Sequence, residues 1–207
     1  MQQKNITTEK IKISNTGSGM QDALNLTEHI ADFLGLSRRS KFHARLLAEE
    51  LFSMVRAVTG EFNAEYWLEA KNKTCILHLE AKAELDYSKK RELISASTKG
   101  ENTARRGIME RIRDIIEGGL YLVQESFDIH SEYGTGLFNY GAIGINDSGM
   151  SDAIYSWSMQ KYKSDVREDI ESWDELEKSI IANIADDVQV GINQDGIELT
   201  IYKTFKQ

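Results

Sequence analysis

The chain has 207 residues, 41% of them hydrophobic and 28% charged, and carries a net charge of −8. That length suits one well-buried domain, no apolar run approaches the roughly 20 residues of a membrane span, and the negative charge opposes general affinity for nucleic acid or anionic membrane. The first eight residues, Met1 to Thr8, lack the apolar stretch of a secretory signal. A single cysteine, Cys75, cannot form an internal disulfide, which points to a reducing, cytoplasmic setting.

In chain order, Ile11 and Ile13 alternate with polar residues and predict a short strand over Lys10–Ser14. Helical spacing of Ala23, Leu26, Ile30, Phe33 and Leu34 predicts a helix over Met20–Leu34, with Gly35 as its C′ residue. A second helix is expected over about Ser40 to Val58, where Leu47, Leu51, Met54 and Val58 form one stripe. Alternation over Phe62–Glu69 and Thr74–Ala83 predicts a hairpin turning at Lys71–Lys73, with Cys75 as a small core residue. Tyr87–Ser97 reads as a short helix and Thr103–Glu117 as a longer one, interrupted by Gly118 and Gly119. Tyr133–Gly149 holds five glycines and reads as an irregular loop region; Ser151–Lys161 is weakly helical, and Ser164–Asp187 is expected to be a long helix with a capping-box pattern at Ser172–Glu175. Val188, Val190 and Ile192, then Ile197, Leu199 and Ile201, alternate around Asp195-Gly196 and predict a closing hairpin. Together these predict an α+β two-layer sandwich, a mostly antiparallel mixed sheet with helices on one face.

Charge is unevenly spread. Residues 89–113 hold eight bases against three acids, a basic island on a Gly-punctuated loop and helix start, where an anion is drawn. Residues 165–187 hold nine acids against two bases. Such an acidic stretch suits a basic partner, or a plug over the basic island. The four histidines are scattered, with no i, i+4 pair, so no zinc site is expected.

The order helix, hairpin, Gly-rich loop and helix, closing hairpin resembles the Bergerat-fold (histidine kinase-like) ATPase superfamily, most closely its anti-sigma factor serine kinase branch. Leu46-Leu47-Ala48-Glu49 is similar to the family's first motif, which makes Glu49 the catalytic carboxylate and puts Ser53 where the family has a magnesium-holding Asn. The strand end Leu77–Ala83 matches the family's second motif, with Ala81 in place of the adenine-binding Asp and Ala83 in place of a Gly. Thr98–Met109 resembles the lid and the following helix start, which makes Gly100, Asn102, Thr103, Gly107 and Ile108 nucleotide-contacting positions. The resemblance covers about residues 9–117 and 186–205 and makes the chain one domain, 1–207, with an insertion at about 118–187. It implies ATP and Mg²⁺ as cofactors, and a serine kinase or switch acting on a regulatory protein partner. The departures at Ser53 and Ala81 leave a second expectation: a pseudo-ATPase working as an interaction or dimerisation module.

Overall fold

The computed structural model describes residues 5–14, 16–59, 63–82, 108, 112–116, 118–120, 155–165, 179–193 and 196–206. Its elements are β1 (Asn5–Thr7), β2 (Ile11–Ser14), α1 (Met20–Phe33), α2 (Arg38–Thr59), β3 (Asn63–Lys71), β4 (Thr74–Lys82), β5 (Tyr155–Ser158), α3 (Met159–Asp165), α4 (Ile180–Ile184), β6 (Asp187–Ile192) and β7 (Ile197–Thr204), with further helical residues at 108, 112–116 and 118–120. The strands form one seven-stranded sheet in the order β1-β3-β4-β7-β6-β5, with β2 also on β3. Every described pairing is antiparallel, so the expected parallel component of the sheet is absent among the described residues.

Local chemistry sets the helix boundaries. Leu36 N–H donates to the Ala31 carbonyl and Gly35 N–H to the Asp32 carbonyl, with Gly35 at φ 66, so α1 ends as a Schellman motif around a left-handed glycine. Two residues later the Ser37 hydroxyl accepts from Ser40 N–H and caps α2. The β3–β4 turn needs only Asn72, which takes the left-handed conformation that its side chain tolerates.

Alternation divides the sheet into two faces. Ala64, Tyr66, Leu68 and Ala70 of β3, Cys75, Leu77, Leu79 and Ala81 of β4, Val188, Val190 and Ile192 of β6, and Ile197, Leu199 and Ile201 of β7 are buried on one side. On that side α1 packs over β2 and β3, and α2 over β4 and β7. Gly119 lies against Ile192 and Tyr155, which seats helical residues 118–120 over β6 and β5. The edge strand keeps this pattern by a bulge. Ile6 opposes Ala70 while Ile11 opposes Tyr66, so three residues, Thr8 to Lys10, face two on β3. That extra residue switches the parity, and both isoleucines reach the helix side although one is at an even and one at an odd position. Inside the core, Thr27 of α1 and Tyr66 of β3 share a buried hydroxyl–hydroxyl hydrogen bond of 2.7 Å, while Thr27 also donates to the Ala23 carbonyl.

Three expectations are corrected. Gly118 and Gly119 do not end the helical region, since 118–120 are helical; Gly119 is small because a Cβ there would collide with Ile192. Within the weakly helical Ser151–Lys161, residues 155–158 are strand β5 and α3 follows, because Tyr155 and Trp157 alternate onto the core side opposite Ile192 and Val190. The helix expected to reach Asp187 stops at Ile184, where Ala185 is extended, and Asp187 already belongs to β6. The Tyr87–Ser97 helix, the Tyr133–Gly149 loop region and the Ser172–Glu175 capping box lie outside the described residues.

Gly196, at φ 147, brings its backbone onto Ala81, and a Cβ there would fall inside the Ala81 carbonyl oxygen. Gly17 also has a positive φ, 90, but nothing lies within 4 Å of its Cβ position. Gly196→Ala is therefore expected to cost about 1–3 kcal/mol, several degrees in Tm. Gly17→Ala, with strain but no clash, should cost visibly less in the same melting experiment.

Candidate functional site

The helix α2 presents two different flanks. Arg45 bonds Glu28 of α1 through one nitrogen and Glu49, one turn along its own helix, through Nε at 2.9 Å. Arg56 of the same flank reaches the Met20 sulfur of α1 at 3.5 Å. Glu49 is thereby held on the α1 side, with its side chain 43% exposed, and Ser53 is exposed one turn further on. Glu50 sits about 100° round the helix from Glu49, on the flank away from these α1 contacts. It is half-buried; burial, helped by the neighbouring Glu49 charge, pushes its carboxyl above the usual range. The motif reading selected Glu49, yet the acid with the perturbed environment is its neighbour. Helical geometry alone shows that the two acids diverge by about 100°; which of them Arg45 claims is set by the contact with Glu28 of α1.

Of the other predicted positions, Ile108 is a core side chain, 1% exposed. Gly100, Asn102, Thr103 and Gly107 lie outside the described residues, as does most of the basic island. Ala81, which the resemblance aligns with an adenine-binding Asp, is buried on the helix side with the Gly196 backbone against its carbonyl. Glu80 points to the opposite face, as alternation requires, where it accepts from Lys10 Nζ at 2.9 Å. Among the described residues no group of three or more His, Cys, Asp or Glu side chains is placed to hold a metal ion. Cys75 is buried, which pushes its thiol up to about 12 and leaves it un-ionised at neutral pH.

The open face carries a polar row. The two-residue turn of the first hairpin sets Trp67 opposite His78, and their rings stack at 4.8 Å between centroids and 3° between planes. Lys10, from the bulge, places its ammonium 4.4 Å from the centroid of the Trp67 ring and bridges Glu65 at 3.0 Å and Glu80. On the far side of the imidazole, His78 Nδ1 is 3.4 Å from Thr200 Oγ1. Further along the sheet, Asp187 is 7% exposed and accepts from Ser158 Oγ, Gln160 N–H, Val188 N–H and Gln189 Nε2 at 2.9–3.1 Å. That carboxylate caps α3 and ties the β5–α3 corner to β6. Asp186 beside it takes Lys203 Nζ at 2.8 Å and Thr204 N–H at 2.6 Å. Its burial raises the proton affinity, but these bonds outweigh it and hold the carboxyl below its ordinary value. Two acids of the 165–187 stretch are thus committed within the fold.

Comparison with protein-family models, with curated proteins and with solved structures finds no match.

Two carboxylates make a direct contrast. Asp187→Ala strands several buried donors and is expected to cost about 3 kcal/mol or more, whereas Glu49→Ala removes one exposed i, i+4 pair worth a few tenths of a kcal/mol. Urea denaturation of the two variants measures the difference, and equal losses would contradict the assignment of Asp187 as the structural carboxylate.

Proposed function

We propose that the chain is a nucleotide-binding protein of histidine kinase-like ATPase architecture, cytoplasmic, working as a switch for a protein partner and not as a phosphotransferase. The observation that carries this reading is the docking of the β6–β7 hairpin onto β4, in the same sheet as the β3–β4 hairpin. The resemblance requires that arrangement, and it sets α2 between α1 and the helical residues 112–116 and 118–120 on one sheet face. Loss of phosphoryl transfer follows from the side chains. Glu49 is neutralised by Arg45 on the α1 flank, Ser53 offers a short hydroxyl in place of a metal-holding amide, and Ala81 offers adenine no acceptor. Within this reading Glu50, on the other flank of α2, is the carboxylate that faces the nucleotide.

A second reading, an interaction or dimerisation module that binds no nucleotide, is favoured by one observation. The position that reads adenine in the family is here a buried methyl group with backbone packed on it.

Thermal melting with ATP, ADP and GTP, with and without Mg²⁺, separates the two. A nucleotide at about 100 times its Kd adds ~2.7 kcal/mol of stability, so a rise in Tm without release or transfer of the γ-phosphate is the expected outcome. No shift with any of the three overturns nucleotide binding, and light scattering then tests the dimer. In a binding-competent protein, Glu50→Gln is expected to change ATP affinity and Glu49→Gln to leave it unchanged.

A further inference from the structure

His78 lies on the sheet face opposite the helices, yet its side chain is only 13% exposed. Trp67 covers one face of the ring. The Nδ1 atom meets Thr200, whose own exposure is 2%. The Nε2 atom is buried with no hydrogen bond, and the nearest charge is the Glu69 carboxylate, 3.7 Å away. A neutral imidazole that donates through Nδ1 to Thr200 leaves Nε2 as a lone pair beside a carboxylate. Protonation puts a hydrogen on both ring nitrogens and turns the Glu69 contact into an ion pair, whichever neutral tautomer it starts from.

We propose that the Trp67–His78 stack is an acid-responsive latch: uptake of one proton at Nε2 draws Glu69 onto the imidazole and replaces a neutral stack by a cation held between indole and carboxylate. The charged surroundings are mixed, which keeps the ring poised. Glu65 and Glu69 of β3, Glu80 of β4 and Glu198 of β7 are its acidic neighbours by strand register, with Asp187 beyond on β6. Opposing them is Lys10, on the Trp67 ring and paired with Glu65 and Glu80. Tyr202 of β7 is kept protonated by burial and nearby acids. Burial lowers the His78 proton affinity below the ordinary value of 6.5, Glu69 raises it and Lys10 lowers it. Because the folded value lies below the unfolded one, folding favours the neutral ring. Stability is full above about 6.5 and declines as pH falls from there toward the folded value. The latch links the β1–β2 bulge, through Lys10, to the centre of the sheet at Thr200, so acid acts on the edge strand as well as on the stack.

Tryptophan emission reads the latch directly, because a protonated imidazole in ring contact quenches an indole. Wild type, Trp67→Phe, His78→Gln, Glu69→Gln and Lys10→Met are titrated between about pH 8 and pH 5. The Trp67→Phe variant subtracts the other two tryptophans. We expect a single-proton loss of Trp67 emission in the wild type, none in His78→Gln, a midpoint moved down in Glu69→Gln and up in Lys10→Met. A transition that survives in His78→Gln, or a midpoint indifferent to Glu69, overturns the proposal. Should the variants fail to fold, the His78 imidazole C–H resonance, assigned by its Overhauser contact with Trp67, is titrated in the wild type. Its failure to titrate across that range is equally fatal.

Discussion

The pairing of β7 with β4 is the constraint on which the rest of the structure depends. Thr74 and Thr204, 130 residues apart, join hydroxyls at 3.0 Å at one end of the pair, and the Gly196 backbone closes on Ala81 at the other. Bringing such distant segments together carries a loop-closure cost, which the ladder offsets by burial. Leu77, Leu79 and Ala81 face the helices beside Ile201, Leu199 and Ile197. A slip of β7 by one residue would send Glu198 and Thr200 into the core and Ile197, Leu199 and Ile201 out of it. Register is therefore fixed by a hydrophobic penalty, with Gly196 and the threonine pair marking its ends. With β4 and β7 central, α2 has a floor to pack on, and the two hairpins become one surface.

The same alternation decides what chemistry each face can hold. Positions on the helix side of β4 are core positions, so Ala81 contributes packing there, where an unpaired acid would carry a desolvation cost. Charged residues lie on the open side and at the sheet's ends. On the open side Lys10 serves two glutamates, and at the end of the β6–β7 pair Asp186 takes Lys203 and a backbone N–H. Individually such exposed pairs contribute little. Their consequence is geometric: they hold the bulge down over Trp67 and the β6 start against the β7 end.

Much of the helix layer and the hairpins was legible in the sequence, because those elements carry their own punctuation. Gly35 after Leu34, Asn72 between two alternating runs and Gly196 before Ile197 each mark a boundary that local backbone chemistry enforces. Elements whose identity comes from tertiary pairing were not legible. Asn5–Thr7 has one apolar residue and becomes a strand because β3 offers an edge. Tyr155–Ser158 is too short for its period to outweigh a helical reading until Val190 and Ile192 receive its aromatics. Gly118 and Gly119 read as a break because the backbone freedom of glycine weakens helices, whereas here one is small to admit Ile192. At the candidate site the sequence located α2 and its pair of acids but not which acid faces which way, since Arg45 and Glu28 meet only after α1 folds back on α2.

That last point decides how α2 works. Adjacent carboxylates on a helix point about 100° apart, so one helix side cannot use both. Arg45, held between α1 and α2, claims Glu49 and turns it into a structural group on the side where the helices meet. Glu50 is left with partial burial and a like charge next to it, two influences that favour the protonated form near the carboxylate range. A group in that state responds to any cation or donor brought against it, whereas Glu49 already has its cation. The difference between the two acids is set by the α1–α2 contact and not by the motif: an ion pair on one flank of α2 leaves the other flank, with its half-buried acid, to Glu50.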